Sequence, residues 1–524
     1  MPLTITTLDQ ARKLIAIARE QDAKDNVLLY DGDHWGDGRF WVGPTLADPV
    51  EMAKVQKALV SKNVVKEVCQ RHTAGVVGKE PRWSVGLRRS LKEGSAPTPE
   101  EQMRIDMAEA ILTEWWDERR GHQILQEATI KLLLSSRAVL RLFIPSGLLV
   151  DGAIVIPDVS DTTQALQTAL DHLFLHVTEL HQAAVAVDKT TMRPTAIYVY
   201  KDDSGKEFME LAYIEGKDTV LRVIEAGKAE VEEVYRFPFD GKLPLYQMNR
   251  DLLITPQVRQ QQCLLNEALT MLGRNVVIGG FLERIILNAD PPGQWVVDPV
   301  TQERTFVPGS IRLGPGTTNY IGGAVVVGED GKTTVANPSV VYRDPVEVKT
   351  FIDTIDTAYR GMLEETHQVH AVQTGAFNIS GESRIQARAD YGSSLNPTKT
   401  DIDRAGRWLL EALLAKSSAL AGLPGYFADL RVTFECQLDL GPIPADQQQQ
   451  VVVQYEKELL DQPTAMIRLG TADPDPMIAS INAHREEKAR ANSATLTSAV
   501  FSARELAKDA MPPTASGLLQ QAGE

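Results

Sequence analysis

Cysteine is scarce in this sequence. The 524 residues include three cysteines, Cys69, Cys263 and Cys436, which are far apart and form no CxxC motif. A sparse, odd number excludes a disulfide framework and is typical of a reducing compartment. We therefore predict that all three are small core residues.

Positive charge is also in deficit. Lysine and arginine number 54 against 70 aspartate and glutamate residues, which gives a net charge of −16. This balance argues against a general nucleic-acid binder, which presents a basic surface. The acidic balance remains compatible with DNA that slides past the protein, because repulsion between carboxylates and phosphates prevents tight binding at any one position.

Long apolar runs are missing as well. No uninterrupted run approaches the ~18 residues needed to span a bilayer. The N-terminal sequence MPLTITTLDQ lacks the basic and apolar regions of a secretory signal. We expect a soluble, intracellular protein with about three or four domain-sized units.

The first half of the chain predicts helices followed by strands. Thr7, Asp48 and Thr98 each begin a helix-start pattern, and the clearest is Thr98-Pro99-Glu100-Glu101, with an N-cap, a proline and two acidic residues. From about Val139 to Leu245, short β-rich runs alternate with turn residues, and one helical segment lies near residues 162–175. This pattern predicts an α+β fold, mainly helical.

Two long helices flank a β-rich segment in the second half. The first begins at Thr255-Pro256 and ends near Gly279-Gly280, and the second begins at about Pro345. Both carry an apolar stripe, which is typical either of an intrachain core or of packing between neighbouring copies. The stripe residues are Leu265, Leu269, Leu272 and Val276 in the first helix, and Val348, Ile352, Ile355, Tyr359 and Met362 in the second.

A polar, nearly uncharged loop at about 371–380 follows the second long helix. A third helical stretch begins after it, and Asn396-Pro397 predicts a kink or break there. Ile402, Ala405, Leu409 and Leu413 continue its apolar face. The strand LRVTFECQLDL follows, and the sequence from Pro444 onward predicts helices.

Two patterns resemble nucleotide-binding and zinc-binding motifs, but neither has the residues that its motif requires. Gly331-Lys332-Thr333 resembles part of a Walker A motif, but Val326 stands where that motif needs glycine, so a hairpin turn is the better interpretation. His367 and His370 have no further ligand with zinc-site spacing. No acid–base pair or nucleophile motif stands out. We predict no catalytic residues, no metal and no cofactor.

The order of these parts resembles the portal protein of a tailed bacteriophage, the head-to-tail connector. The resemblance covers nearly the whole chain and includes three local stretches. These are NVVKEVCQRHTAGVVGKEPRW, NISGESRIQARADYGSSL and PTAMIRLGTADPDPMIASINAHREE, which are similar to segments of the portal wing and crown.

The resemblance implies a division of the chain into portal parts. The wing would comprise residues 1–251 and 381–440, with a long kinked helix and a returning strand in the second segment. The remaining parts would be the stem helices at 252–280 and 345–370, the β-rich clip at 281–344, the tunnel loop at 371–380, and the helical crown and C-terminal tail at 441–524.

The same resemblance gives the polar loop a role. Small, neutral residues suit a loop that lines a DNA channel, because fixed lysines there would grip each phosphate and stall passage. Glu364 and Glu365, just before the loop, would add repulsion if they line the channel. The implied DNA-facing residues are Gln373, Thr374, Gly375, Asn378 and Ser380.

The implied function is a non-enzymatic ring of about twelve subunits at one capsid vertex, through which double-stranded DNA is packaged and ejected. Its partners would be the large terminase subunit, scaffold and major capsid proteins, and head-completion proteins, without a membrane. It would assemble in the host cytoplasm and reside in the virion. The alternatives are a minor head protein without a channel and a soluble enzyme of unknown substrate, which ATPase activity of the purified chain would favour.

Overall fold

The computed structural model confirms the α+β class. About half of the residues it describes are helical, and the strands form several antiparallel sheets. The described residues are 5–43, 48–89, 96–145, 149–150, 153–154, 161–228, 233–280, 284–288, 293–297, 299, 302–308, 323–327, 331–335, 337, 339–342, 346–373, 381–440, 445–469, 477–485 and 488.

The N-terminal part is helical, as predicted. Thr7, Asp48 and Thr98 accept N–H groups at the starts of three helices, and Thr98 with Glu101 forms a complete capping box. The elements are α1 (Leu8–Ile15), α2 (Glu20–Asp31), α3 (Pro49–Lys57), α4 (Val64–Val77), β1 (Arg82–Leu87), α5 (Pro99–Glu118) and α6 (Gly121–Ser135).

Two larger antiparallel sheets and a two-stranded ribbon form the described middle of the chain. The elements are β2 (Arg137–Phe143), β3 (Leu149–Val150), β4 (Ala153–Ile154), α7 (Thr162–Asp171), β5 (Phe174–Val177), β6 (Ala183–Val187), β7 (Pro194–Lys201), β8 (Glu207–Glu215), β9 (Asp218–Glu225), β10 (Glu233–Phe237) and β11 (Leu245–Asn249). Strands β6 to β10 form one larger sheet in sequence order, β2 lies between β11 and β5 in the other, and β3 and β4 form the ribbon. The predicted helix inside this block is α7.

Two long helices and a third, longer helix dominate the rest. The elements are α8 (Pro256–Gly280), β12 (Arg284–Leu287), β13 (Gly293–Val297), β14 (Arg304–Pro308), β15 (Val325–Val327), β16 (Thr333–Val335), β17 (Ser339–Tyr342), α9 (Val348–Glu365), α10 (His370–Gln373), α11 (Gly381–Leu420), β18 (Leu430–Glu435), α12 (Ala445–Glu456) and α13 (Gln462–Arg468). Residues 477–485 are also helical. The pairing of β15 with β16, with Gly331 at φ +72° between them, confirms the predicted hairpin.

Strand β18 returns to the N-terminal part and pairs with β1, with Phe434 opposite Trp83. The Phe434 ring also packs on Trp116, with 5.8 Å between ring centroids. The largest hydrophobic core joins this region to α5, α6, α7, α11 and β2.

A second core joins α2, α4, α6, α8 and α9. Cys69 and Cys263 are buried in this second core, and Cys436 is buried in the first. All three thiols are free, and burial raises their pKa values. The prediction that the cysteines are core residues is confirmed.

The sequence predicts a kink or a break at Pro397, and α11 continues through this residue without a break, whereas the kink stays a prediction. Proline removes one backbone hydrogen bond, but tertiary contacts hold the next turn in place. The hydroxyl of Thr398 is buried and accepts a hydrogen bond from the Arg250 guanidinium, and it lies 2.9 Å from His72 Nε2. Burial, with a contribution from Arg250, lowers the pKa of His72 to about 3.

Candidate functional site

Helices α8 and α9 pack as an antiparallel pair. The Asn275 amide donates to the Val346 carbonyl oxygen (2.8 Å) and accepts from the Val346 N–H (2.9 Å). Farther along the pair, a Cβ atom added to Gly361 would lie 2.7 Å from Gln261 Nε2, so the Gln261 side chain of α8 packs directly on the Gly361 backbone of α9. Because these contacts run in opposite directions along the two helices, the segment between α8 and α9 lies at one end of the pair.

The described residues of that intervening segment include short ribbons. Strands β12 and β17, its first and last, pair with each other, with Arg284 opposite Tyr342. The ribbons β13–β14 and β15–β16 are formed from the chain between them. The first and last strands of the segment therefore lie together, beside the ends of the helix pair.

The helix pair divides into two halves of different character. We call residues 256–270 of α8 with 355–365 of α9 the rooted half, and residues 271–280 with 348–354 the free half. In the rooted half Leu265 and Met362 are fully buried, and Leu269, Ile355 and Tyr359 pack against the same core. The rooted half therefore belongs to the hydrophobic core of the chain.

The free half presents apolar side chains to solvent. Val276, Val348 and Ile352 are 62%, 45% and 46% exposed, and Leu272 is half-buried. Each of the two stripes predicted from the sequence is thus divided: its rooted part is in an intrachain core, and its free part is partly or mostly exposed. Exposed apolar residues that cluster on one element are typical of interaction surfaces.

Buried amides and a hydroxyl on α8 hold the segment that precedes α4. Gln262 Oε1 accepts from the Val64 N–H (2.9 Å) and the Val65 N–H (3.2 Å), and its Nε2 donates to the Lys62 carbonyl oxygen (2.7 Å). One and two turns farther along, Asn266 and Thr270 accept from the N–H groups of residues 62 and 60. Val64 and Val65 are fully buried, where backbone N–H groups need hydrogen-bond partners.

This polar ladder was not predicted from the sequence. Gln262, Asn266 and Thr270 recur every four residues, so they share one face of the helix next to its apolar stripe. That spacing is the signal that sequence reasoning could have used. A polar row beside an apolar row indicates a helix that holds irregular backbone on one side.

The chain is also held immediately after α9. Gln368 is fully buried: its Nε2 donates to the Val68 carbonyl oxygen (2.9 Å), and its Oε1 accepts from Arg71 (3.1 Å). The His370 ring stacks on Tyr391 of α11 with 4.2 Å between centroids. The Tyr391 hydroxyl donates in turn to the Arg71 carbonyl oxygen (2.8 Å). The backbone on either side of residues 374–380 is therefore anchored to α4.

The surroundings of His370 favour the uncharged imidazole. Burial, together with the positive charges of Arg71 and Arg388, lowers the pKa of the imidazole to about 4. The ring at this anchor is accordingly neutral at neutral pH.

The described residues include only the first part of the predicted loop. Gln373 is the last residue of α10, whereas Thr374, Gly375, Asn378 and Ser380 lie outside the described residues. Glu364 and Glu365 are exposed at the C-terminal end of α9. The structure therefore brings the two glutamates to the start of the anchored segment.

Comparisons with known proteins give no relative for this arrangement: no protein-family model matches the chain, and no curated protein matches it. Within the described parts of the chain, no helix is both long and apolar enough to cross a membrane.

Proposed function

We propose that this chain is the subunit of a ring-shaped conduit for double-stranded DNA, of the kind formed by portal proteins of tailed bacteriophages. The observation that carries the proposal is the antiparallel helix pair, which is buried in a core at one end and joined to a β segment at the other. In the proposed ring α8 and α9 form the stem, and residues 281–344 form the clip.

The free half of the helix pair supports self-association. A closed ring requires head-to-tail contacts between two different surfaces of each subunit. Val276, Val348 and Ile352 supply exposed apolar area on the stem, where neighbouring stems would pack. Burial of this area would contribute roughly 25 cal/mol per Å² to assembly.

The anchored segment after α9 supports the proposed tunnel loop. Its sequence from Gln373 to Ser380 carries no charged residue, and both of its flanks are fixed to α4 through Gln368 and the His370–Tyr391 stack. Fixed flanks would hold such a loop at a constant radius in a ring. An uncharged loop would touch phosphates without gripping them, so DNA would pass without sequence specificity.

The remaining assignments follow from this proposal. The pairing of β18 with β1 supports a wing built from both chain segments, 1–251 and 381–440. The crown would then be 441–524. A separate motor would supply the energy for packaging, and the terminase, capsid, scaffold and head-completion proteins would be the partners at the portal vertex of the virion.

The test is the mass and shape of the purified protein, by native mass spectrometry and negative-stain electron microscopy. We expect a closed ring of about twelve copies with a central hole. Ile352→Asp should yield a folded monomer, because it places a charge in the proposed subunit contact and removes nothing from the core. Thr357→Asp is the matched control: it adds the same charge on another face of α9 and should leave the ring intact.

The outcomes distinguish the alternatives. A stable monomer or dimer of the wild-type chain at all protein concentrations, together with ATPase activity, would replace the conduit with an enzyme. A ring that survives Ile352→Asp would retain the conduit but overturn the assignment of the free half to the subunit contact.

A further inference from the structure

A cavity of about 480 Å³ lies between the five-stranded sheet, strand β2 and the C-terminal half of α11. Its volume is within the range of roughly 300–1,000 Å³ that is usual for small-molecule sites. No described residue of α8, α9 or α10 lines this cavity. Its walls include Arg141, Phe143, Tyr198, Tyr235, Phe239 and Lys416.

Stacked aromatic rings form much of the wall. Tyr198 and Tyr200, two residues apart on β7, stack with 5.6 Å between centroids. Tyr235 and Phe237 on β10 stack at 6.0 Å, and Phe237 stacks on Phe239 at 4.9 Å. Alternate residues of a strand point to the same face, so these rings line one side of the sheet. Such a surface suits a planar or aliphatic ligand body.

Three cations line the wall, and two of them already have carboxylate partners. Lys201 lies 3.3 Å from Glu207, and its side chain is 67% exposed. Arg141 lies 2.8 Å from Glu210 and stands over the rings of Tyr198 (3.9 Å) and Phe143 (4.5 Å). Its guanidinium therefore has a carboxylate partner and two aromatic partners. This arrangement uses Arg141 to build the wall and takes Glu210 away from any ligand.

Lys416 is the remaining cation, and no salt bridge to it is found in the part of the chain that the structure describes. Its side chain is 2% exposed, and Nζ donates to the Leu142 carbonyl oxygen at 2.8 Å. An ammonium group has three N–H donors, and that carbonyl oxygen is its one hydrogen-bond acceptor among the residues that the structure describes. The Phe239 ring centroid lies 5.4 Å away. Burial of a lysine without a counter-ion costs free energy.

We propose that this cavity binds a small amphipathic anion, whose single acidic group pairs with Lys416 and whose aromatic or aliphatic body lies against the tyrosine and phenylalanine rings. The ligand class is a monocarboxylate or an equivalent sulfonate. This site is independent of the proposed DNA conduit.

The charges of the cavity favour this class over others. Arg141 is paired with Glu210 and Lys201 with Glu207, so Lys416 alone remains for the ligand, which is too little charge for a di- or triphosphate. A cationic ligand could stack on the aromatic rings, but the positive charges of Lys416 and Arg141 oppose it. Burial, with a contribution from Arg141, lowers the pKa of Lys416 to about 7, and a bound anion would retain the proton.

The experiment is a fluorescence titration of the full-length protein with two matched probes. Anilinonaphthalene sulfonate carries the acidic group, and phenylnaphthylamine is its neutral counterpart. We expect the wild type to bind the sulfonate at one saturable site. Lys416→Met should weaken the sulfonate by at least about tenfold, the value of one charge-assisted hydrogen bond, and should leave the affinity for the neutral probe within about twofold.

Two further variants complete the design. Lys217→Met removes a lysine whose side chain is 84% exposed and lies outside the cavity wall, so it should change neither affinity. Leu221→Trp fills the cavity while it keeps Lys416, and it should weaken both probes. Leu221→Trp decides the result if Lys416→Met fails to fold.

Three results would overturn the proposal. The first is the absence of saturable sulfonate binding by the wild type. The second is equal loss of both probes in folded Lys416→Met. The third is sulfonate affinity in Leu221→Trp equal to that of the wild type.

Discussion

The rooted and free halves of the α8–α9 pair carry the same apolar pattern and have opposite environments. Met362 in the rooted half is fully buried among α4, α6 and α8, whereas Ile352, ten residues earlier on α9, is half exposed. Periodicity tells which side chains share a face of a helix, but not what covers that face. The comparison therefore separates residues that stabilise the fold of the chain from residues that, in the proposed ring, would be available to a neighbouring copy.

The polar contacts of the two halves differ in the same way. The rooted half carries the ladder of Gln262, Asn266 and Thr270, which fixes the chain before α4. In the free half, Asn275 joins α8 to the backbone of Val346 at the start of α9. The ladder in the rooted half bonds to the segment before α4. The Asn275 contact in the free half bonds to the residue Val346, just before α9.

The largest expected effect is that of Met362→Asp, the rooted counterpart of Ile352→Asp. It buries an unpaired carboxylate and leaves a cavity, so we expect the free energy of unfolding to fall by at least about 4 kcal/mol. Ile352→Asp should cost less than about 1 kcal/mol in the monomer, because the side chain is half exposed. Circular dichroism during urea unfolding measures both values.

Equal losses of stability in these two variants would contradict the division into halves. They would mean that the free half is also part of the intrachain core.

A smaller effect is expected from Gln262→Ala. The change removes an amide that serves Val64, Val65 and Lys62. It leaves the buried Val65 N–H without this partner, whereas the Val64 N–H keeps the Lys62 carbonyl oxygen (3.1 Å). At about 1–3 kcal/mol for a buried group left unpaired, we expect a loss of about 1–3 kcal/mol. Gln260→Ala, at an exposed position on the same helix, should stay within about 0.5 kcal/mol of the wild type. Chemical denaturation measures both, and similar losses would show that the ladder adds no stability.

The sequence predicts helix ends better than it predicts long-range partners. Thr98 and Thr255 begin helices because their hydroxyls accept N–H groups of the first turn, a local effect. No break occurs at Pro397, where the next residue, Thr398, is held by His72 and Arg250, which are distant in sequence. The pairing of β1 with β18 likewise joins segments more than 300 residues apart in the chain, which no local pattern encodes.

The candidate sites show the same limit. Ile402, Ala405, Leu409 and Leu413 predict the buried face of α11, and Lys416 continues that face at the next three-residue step. A lysine in an apolar row is a readable signal for a buried cation. The aromatic strands that surround it come from another part of the chain, so the cavity itself becomes visible only in the fold.

The smallest expected effect is the pH dependence of stability that arises from His370, in the anchored segment after the rooted half. The pKa of His370 is about 4 in the folded chain and near 6.5 in the unfolded chain. As the pH falls from 6.5 towards 4, the unfolded state therefore binds the proton first and stability is lost. His72 and His176, with pKa values of about 3 and about 4, act in the same direction.

His370→Phe should keep the stack on Tyr391 and remove one of these three contributions. We expect the loss of stability between pH 6.5 and 4 to become shallower by less than about 1 kcal/mol per pH unit, because solvent screens a half-buried ring. Urea unfolding at a series of pH values measures the slope, and His181→Phe, at an exposed position, is the control. A slope equal to that of the wild type would mean that His370 takes up its proton without disturbing the anchor, and the fixed flank of residues 374–380 would then have to rest on Gln368 alone.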